Sequence, residues 1–469
     1  MTNQNNLFLE FSPSSAEQWI QQIVKDLKGE NYEQKLVYTN YDGIAIKPFY
    51  AKEDVRNYST LEPLFNHSDW DICQEIEVDD EVNANKKALH ALNNGASALL
   101  FYVFNSVDLN KLLKDIQIEY IGVQFIIEGN ALEFNTNLNN YISHHKLDKS
   151  KLNITLNIDP IENLVRTGQW RKSIIEDKTE FVSLIKNKAN AFCINANIYH
   201  NAGASESYEI ACVLAHANTY INWLIEEGID VKETLKTIQL NIAVGPNYFF
   251  EIAKLRAYRK AFSLLFSEYS LTIDLKIHAE TAFRNLTVAD AYNNLLRTTS
   301  EAMAASIGGC NSLVVKPFNI IYESPTDFSE RLARNIQLIL KSESYFDKMA
   351  DVSAGSYFIE ELTEQIAKKA WTYFTEIESD GGFIKCLEKG AIQAKINEMA
   401  LAQQTFFDEG KSVLVGTNKF PNTKETIKQY EDSIAWGSSS KLGKVIEPLT
   451  TIRLTAKAEH ERIEQEKNN

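Results

Sequence analysis

The chain has 469 residues, 44% of them apolar, with 63 acidic against 48 basic side chains and a formal net charge of −15. That length suits one large α/β domain with attachments, and the acidic balance excludes general binding to nucleic-acid backbones. Five scattered cysteines with no C-x-x-C pair exclude a disulfide framework and a thiolate zinc site. No apolar run reaches the roughly 18 residues of a membrane span, and the N-terminal stretch lacks the order of a secretory signal. The expectation is a cytoplasmic protein.

The first predicted element is a helix capped by Ser14 with Glu17 as its capping-box partner, carrying Trp19, Ile23, Val24 and Leu27 as one stripe and stopping at Gly29. The segment LVYTNYDGIAIKPFY then reads as an extended hairpin turning at Tyr41-Asp42-Gly43. A short helix and a hairpin bury little alone, so residues 1–60 read as an arm. Eight strand-like runs follow, at 69–78, 96–104, 122–129, 152–158, 191–198, 237–244, 271–279 and 312–318. Longer amphipathic stretches separate them. This alternation predicts an α/β fold, a (β/α)8 TIM barrel over 61–345. An open doubly wound sheet is the competitor, but no G-x-G-x-x-G opens it. Beyond Thr326, an expected helix cap, the chain turns helical, and residues 346–469 read as a helical C-terminal extension with a solvated tail from about residue 422.

Chemistry in such a barrel sits at the carboxyl ends of the strands. The polar residues there are Glu75, Glu77, Glu128, Asp159, Asn195, Asn197, His200, Asn241, His278, Glu280 and Lys316. His278 and Glu280 alternate on one strand end and can face the same side, a general acid/base arrangement or an ordinary satisfied wall. His200 sits in IYHNAGAS at a strand-to-helix junction, where Gly203 lets a backbone approach closely and Ser205 caps the next helix. The eight histidines show no H-E-x-x-H or H-x₃-H spacing, no G-x-S-x-G elbow occurs, and Cys73 and Cys193 read as core thiols. The tracts 277–319 and SVLVGTNKFPN (412–422) are dense in polar and glycine positions, with ordinary barrel architecture and a surface hairpin as the plain alternatives.

These tracts resemble the methylmalonyl-CoA mutase family. Its pattern T-H-x-Q-T-S-G-W-S-L-T-x-x-D-x-Y-N-N-x-x-R-T-x-x-E-A-x-A-A is met by His278, Glu280, Thr281, Leu286, Thr287, Asp290, Tyr292, Asn293, Asn294, Arg297, Thr298 and Glu301. PTDFSERLARNIQL, GSYFIEELT, GGFIKCLEKG, VGTNKF and the arm segment YDGIAIKPFY extend the likeness from about residue 10 to 455. The resemblance implies a barrel whose axis threads the pantetheine arm of CoA, and an arm that wraps a partner subunit. It also implies a reaction that interconverts succinyl-CoA and methylmalonyl-CoA with adenosylcobalamin held by a separate flavodoxin-like domain.

Departures from the pattern set the expected role. None of the eight histidines follows an aspartate by two, as the family's cobalt-binding D-x-H-x-x-G requires, and the chain stops where that domain would begin. No cobalamin-binding domain and no metal site are therefore expected here. At the first barrel strand, W-T-I-R-Q-Y-A-G is replaced by Trp70-Asp71-Ile72-Cys73-Gln74-Glu75-Ile76, so Cys73 stands for the Arg and Glu75 for the Tyr. The catalytic His of the fifth strand falls on Ile198, and a CoA-contacting Arg falls on Thr237. The expectation is a small subunit without catalytic residues of its own, in a heterodimer with a large catalytic subunit that holds the adenosylcobalamin and the acyl-CoA. Asn197, His200, His278, Glu280 and Lys316 remain candidates for substrate contact at the barrel mouth. Two alternatives stay open: an active acyl-CoA mutase barrel borrowing cobalamin from a separate subunit, and a chaperone-like or regulatory partner.

Overall fold

A computed structural model describes residues 14–55, 63–187, 189, 192–422, 424–427 and 444–467. The first helix, Ala16–Asp26, starts one residue later than expected. Ser15 caps it and Gln18 completes the capping box, because Ser15 alone places its hydroxyl within reach of the Gln18 amide (3.3 Å). Lys28 and Gly29 both take positive φ to end it. Its apolar stripe finds no core among the described residues: no residue of this helix is buried, and Trp19 meets Phe49 at 3.5 Å between ring centroids. The expected hairpin is present as β1 (Tyr38–Thr39) and β2 (Ala45–Ile46), paired antiparallel. Asp42 at its tip anchors the arm. Its carboxylate accepts from the Ser205 hydroxyl (2.5 Å) and the Ser207 amide (3.3 Å) at the start of helix Glu206–Glu226, where the helix dipole favours a negative charge.

Eight parallel strands form the barrel: β3 (Asp71–Glu77), β4 (Ala98–Val103), β5 (Gly122–Ile127), β6 (Asn153–Asn157), β7 (Cys193–Asn195), β8 (Gln239–Val244), β9 (Lys276–Thr281) and β10 (Ser312–Val314). Their spatial order is β6-β5-β4-β3-β10-β9-β8-β7, and a bridge between Ile158 and Phe192 joins the two ends. The (β/α)8 barrel is thus the observed fold. Every strand is shorter than its predicted run, and β7, β9 and β10 differ most, β10 ending at Val314 where the run extended to residue 318. Residues 271–275 stay outside β9, because Ser270 turns the chain at positive φ and the run reaches the sheet only at Lys276. The run 191–198 yields a three-residue β7, since Asn197–Asn201 coils into a short helix at the strand's carboxyl end.

The barrel helices bury their apolar faces against the strands. Glu206–Glu226 and Tyr248–Glu268 are covered in turn by Tyr357–Ser379 of the C-terminal extension. Arg256 is fully buried at this junction, pairing with Asp351 and with Glu360 at 2.7 Å. Thr326 caps helix Asp327–Ser342 as expected, with Ser329 completing the box.

The tail departs from the helical expectation. Residues 444–455 run extended across the carboxyl-end loops, with Ile446 on Gly168, Ile452 on Asn201 and Leu454 on Arg284, and only Ala456–Lys467 is helical. The loop carbonyls already present acceptors to that segment, which fixes it as a strap. Gly168, at φ 79°, is required here: a Cβ would stand 2.6 Å from the Ile446 carbonyl oxygen. The 412–422 tract forms a tight loop with a bridge between Val415 and Lys419 rather than a hairpin ladder. Among the described residues no helix is long and apolar enough to cross a membrane.

Candidate functional site

Alternate residues of each strand face the lumen, and the contacts between them prove the assignment because they join strands that are not neighbours. Gln239 on β8 donates to Gln124 on β5 at 3.0 Å, and Gln124 reaches His278 Nδ1 on β9 at 3.1 Å. Gln239 also donates to Asn241 (2.8 Å), Asn241 to Asn195 (2.8 Å), and Asn157 to Asn195 (2.9 Å). Ser312 on β10 lies 3.1 Å from His278 Nδ1. Side-chain amides therefore lace the barrel axis. Cys73, Ala98, Leu100 and Val314 fill the other side of the lumen as a small apolar cluster.

At the carboxyl end an ion triad closes the mouth. Lys316 Nζ lies 2.7 and 2.9 Å from the two Glu75 oxygens and 2.9 Å from Glu280 Oε2. Tyr102 donates to Glu75 at 2.8 Å, and Asn197 donates to Glu280 at 2.9 Å. Burial would push the Glu75 carboxyl up, but the Lys316 ammonium wins and holds it below its ordinary value. Burial likewise opposes the Lys316 charge, and Glu280 and Glu75 together hold its pKa above the usual lysine range. His278 is pushed down to about 4 by burial, with Lys316 adding to the shift. It is a neutral imidazole at pH 7.

The structure thus brings four of the five mouth candidates, Asn197, His278, Glu280 and Lys316, together with Glu75. His200 stands apart, engaged at Nδ1 by the buried Glu209 (3.2 Å) beside Lys254. Lys254 is fully buried and pairs with Glu209 (3.2 Å) and Glu251 (2.8 Å). Cys73 lies in the lumen, whereas Ile198 packs on the outer core and Thr237 precedes β8 at the opposite end of the barrel, bonded to the Thr234 carbonyl (2.9 Å). Sequence reasoning missed Tyr102, Gln124, Gln239, Asn157 and Ser312. The signal was available as polar residues two apart within apolar strands, such as Gln239 with Asn241. Two cavities among the described residues measure about 50 and 90 Å³, below the roughly 300 Å³ at which pockets for drug-sized ligands start and sufficient only for a molecule of a few heavy atoms. No group of three metal-ligating side chains occurs among the described residues.

Behind the mouth, Glu301 is fully buried, and burial pushes its carboxyl up to about 8. It accepts from Asn285 Nδ2 at 2.6 Å, and its second oxygen has no partner. In the unfolded chain this carboxyl ionises near 4.5. Its contribution is therefore complete below pH 4.5 and is lost as pH rises through about 8. Glu301→Gln is expected to raise the melting temperature at pH 8 and leave it unchanged near pH 4.5, as followed by thermal unfolding at the two pH values.

Fold and mouth define an α/β-barrel protein whose axis is laced by its own side chains and whose carboxyl-end mouth is held by an internal ion triad. Residues 101–445 match the family model described as methylmalonyl-CoA mutase. The chain is 34% identical to the methylmalonyl-CoA mutase small subunit of Porphyromonas gingivalis, over 98% of this chain and 78% of that protein. It is 28% identical to the methylmalonyl-CoA mutase large subunit of Streptomyces virginiae, over 94% of this chain and 66% of the relative. The mitochondrial methylmalonyl-CoA mutase of Homo sapiens is also 28% identical, over 93% and 64%. The chain belongs to the methylmalonyl-CoA mutase family, and it spans about two thirds of the length of the last two relatives.

The family's isomerisation uses adenosylcobalamin. The described residues here do not fit the lower ligand of its cobalt. No histidine follows an aspartate by two, and His278 is buried within the barrel among Gln124 and Ser312.

Proposed function

We propose that this chain is the small, non-catalytic subunit of a heterodimeric adenosylcobalamin-dependent methylmalonyl-CoA mutase, and that it stabilises a larger catalytic subunit. The observation that carries this reading is the Glu75–Lys316–Glu280 triad. Where the family pattern has a tyrosine at the substrate pocket, this chain has a carboxylate neutralised by its own lysine. An anionic acyl-CoA would meet Glu75 and Glu280 at the mouth and the Gln124–Gln239–His278 network along the axis. Opening that path breaks several buried hydrogen bonds, each costing about 1–3 kcal/mol when left unmade. Cys73, at the family's Arg position and inside the lumen, offers no cation to an acyl-CoA. The 34% identity to a small subunit over nearly the whole chain supports the same reading.

In this account the larger subunit supplies adenosylcobalamin, whose Co–C homolysis provides the radical. This chain contributes a barrel, an arm and the exposed apolar face of helix Ala16–Asp26 to the partner. Large, apolar interfaces of that kind are typical of obligate assemblies. Co-expression with a large-subunit homologue is expected to give a 1:1 complex with mutase activity, measured by mass and by turnover. Recovery of the two chains separately, with the large chain fully active alone, would count against the stabilising role.

A further inference from the structure

Between β3, β10 and helix Asp327–Ser342 lies the cavity of about 50 Å³, which reaches Cys73 and Glu75 on its barrel side. Its polar wall is Gln74, Glu330, Arg334, Gln337 and Glu75, the last already paired with Lys316, and its apolar wall includes Val315, Ile320 and Pro325. Arg334 is only 3% exposed. Its Nη1 donates to the neutral Gln74 Oε1 at 2.6 Å, and its Nε–H has no partner. A buried guanidinium bonded to an amide and left short of an acceptor is costly, and a carboxylate is the acceptor whose planar geometry matches it. Glu330 shares the cavity but forms no ion pair with Arg334 among those within 4 Å. The space exceeds what a single water needs. It also lies beside the loop after the eighth barrel strand, the part of this fold that most often takes anions.

We propose that this cavity binds a small aliphatic carboxylate, its head on the Nε side of Arg334 and its short tail on Val315, Ile320 and Pro325. The site does not rest on the mutase reading, because the group that takes the anion, Arg334, lies on helix Asp327–Ser342 and not on a barrel strand. Gln74 orients the guanidinium from the opposite edge. Glu330 sets a charge limit: it repels a second negative charge and favours monoanions over phosphate.

The test uses the full chain and ¹³C-labelled acetate, with gluconate balancing the ionic strength as a carboxylate too large to enter. Saturable broadening of the acetate signal is expected. Arg334→Gln should weaken it by roughly tenfold or more, the value of one charge-assisted hydrogen bond. Glu330→Gln should tighten it, and Arg334→Lys should retain part of it, which keeps the test informative if Arg334→Gln does not fold. Broadening that fails to saturate, that survives Arg334→Gln unchanged, or that chloride displaces as well as acetate binds would overturn the proposal.

Discussion

Lys316→Met is expected to destabilise the chain by about 3–5 kcal/mol, the cost of removing one partner from a buried ion group and stranding the rest. Glu75 and Glu280 would face each other across the mouth with only Tyr102 and Asn197 to soften them. The companion variant, Lys316→Met with Glu75→Leu and Glu280→Gln, removes the charges together and should recover most of that loss, since apolar replacements of a whole buried ion group are often neutral or better. Denaturant unfolding of the three proteins measures both effects. Equal stability of Lys316→Met and the parent chain would mean that the triad is hydrated and that the mouth is open, and the closed-barrel account would fail.

Arg256→Met should produce a loss of similar size, about 3–5 kcal/mol, with a different signature. Arg256 leaves the barrel helix Tyr248–Glu268 to hold Asp351 and Glu360 together. Those carboxylates order the segment before helix Tyr357–Ser379. Asp351 accepts from the Leu64 amide (2.8 Å) and the Ser353 hydroxyl (3.1 Å), and Glu360 accepts from the Gly355 amide (3.0 Å). Without the arginine, two buried carboxylates repel and the extension loosens from the barrel. Hydrogen exchange should accelerate across 349–379 before it does across β3–β5. Uniform acceleration would instead make Arg256 one more global stabiliser.

Much of this architecture could be read from residue patterns, for reasons that differ from element to element. Barrel strands bury both faces, so they appear as continuous apolar runs, and all eight runs became strands. The ends of those runs were less legible. Asn195-Ala196-Asn197 continues the alternation of the preceding run, but the Asp159 carboxylate takes the Asn195 amide at 2.8 Å and the chain coils into a helix two residues later. No local pattern announces a partner 36 residues away. The strap at 444–455 was misread as helix for the same reason: its hydrogen bonds go to Gly168, Asn201 and Arg284, all distant in sequence.

At the mouth, the types of residue were legible and their grouping was not. Glu75, Glu280 and Lys316 could each be named as strand-end polar residues, but their pairing depends on β3, β9 and β10 lying side by side. Once barrel order is known, the register of Glu280 beside Val314 puts Lys316 two residues further along the same inward face. Ile198 and Thr237 show the converse. They stand at family pocket positions in the sequence pattern, but one packs on the outer core and the other lies at the far end of the barrel.

The central claim is that this barrel carries no mutase chemistry of its own. The most direct measurement is turnover of succinyl-CoA by the purified chain, supplied with adenosylcobalamin and a separately produced cobalamin-binding domain. The account predicts no methylmalonyl-CoA above background and no saturable binding of succinyl-CoA. Sustained turnover, abolished by Lys316→Met or Glu280→Gln, would contradict it and make the triad part of an active site.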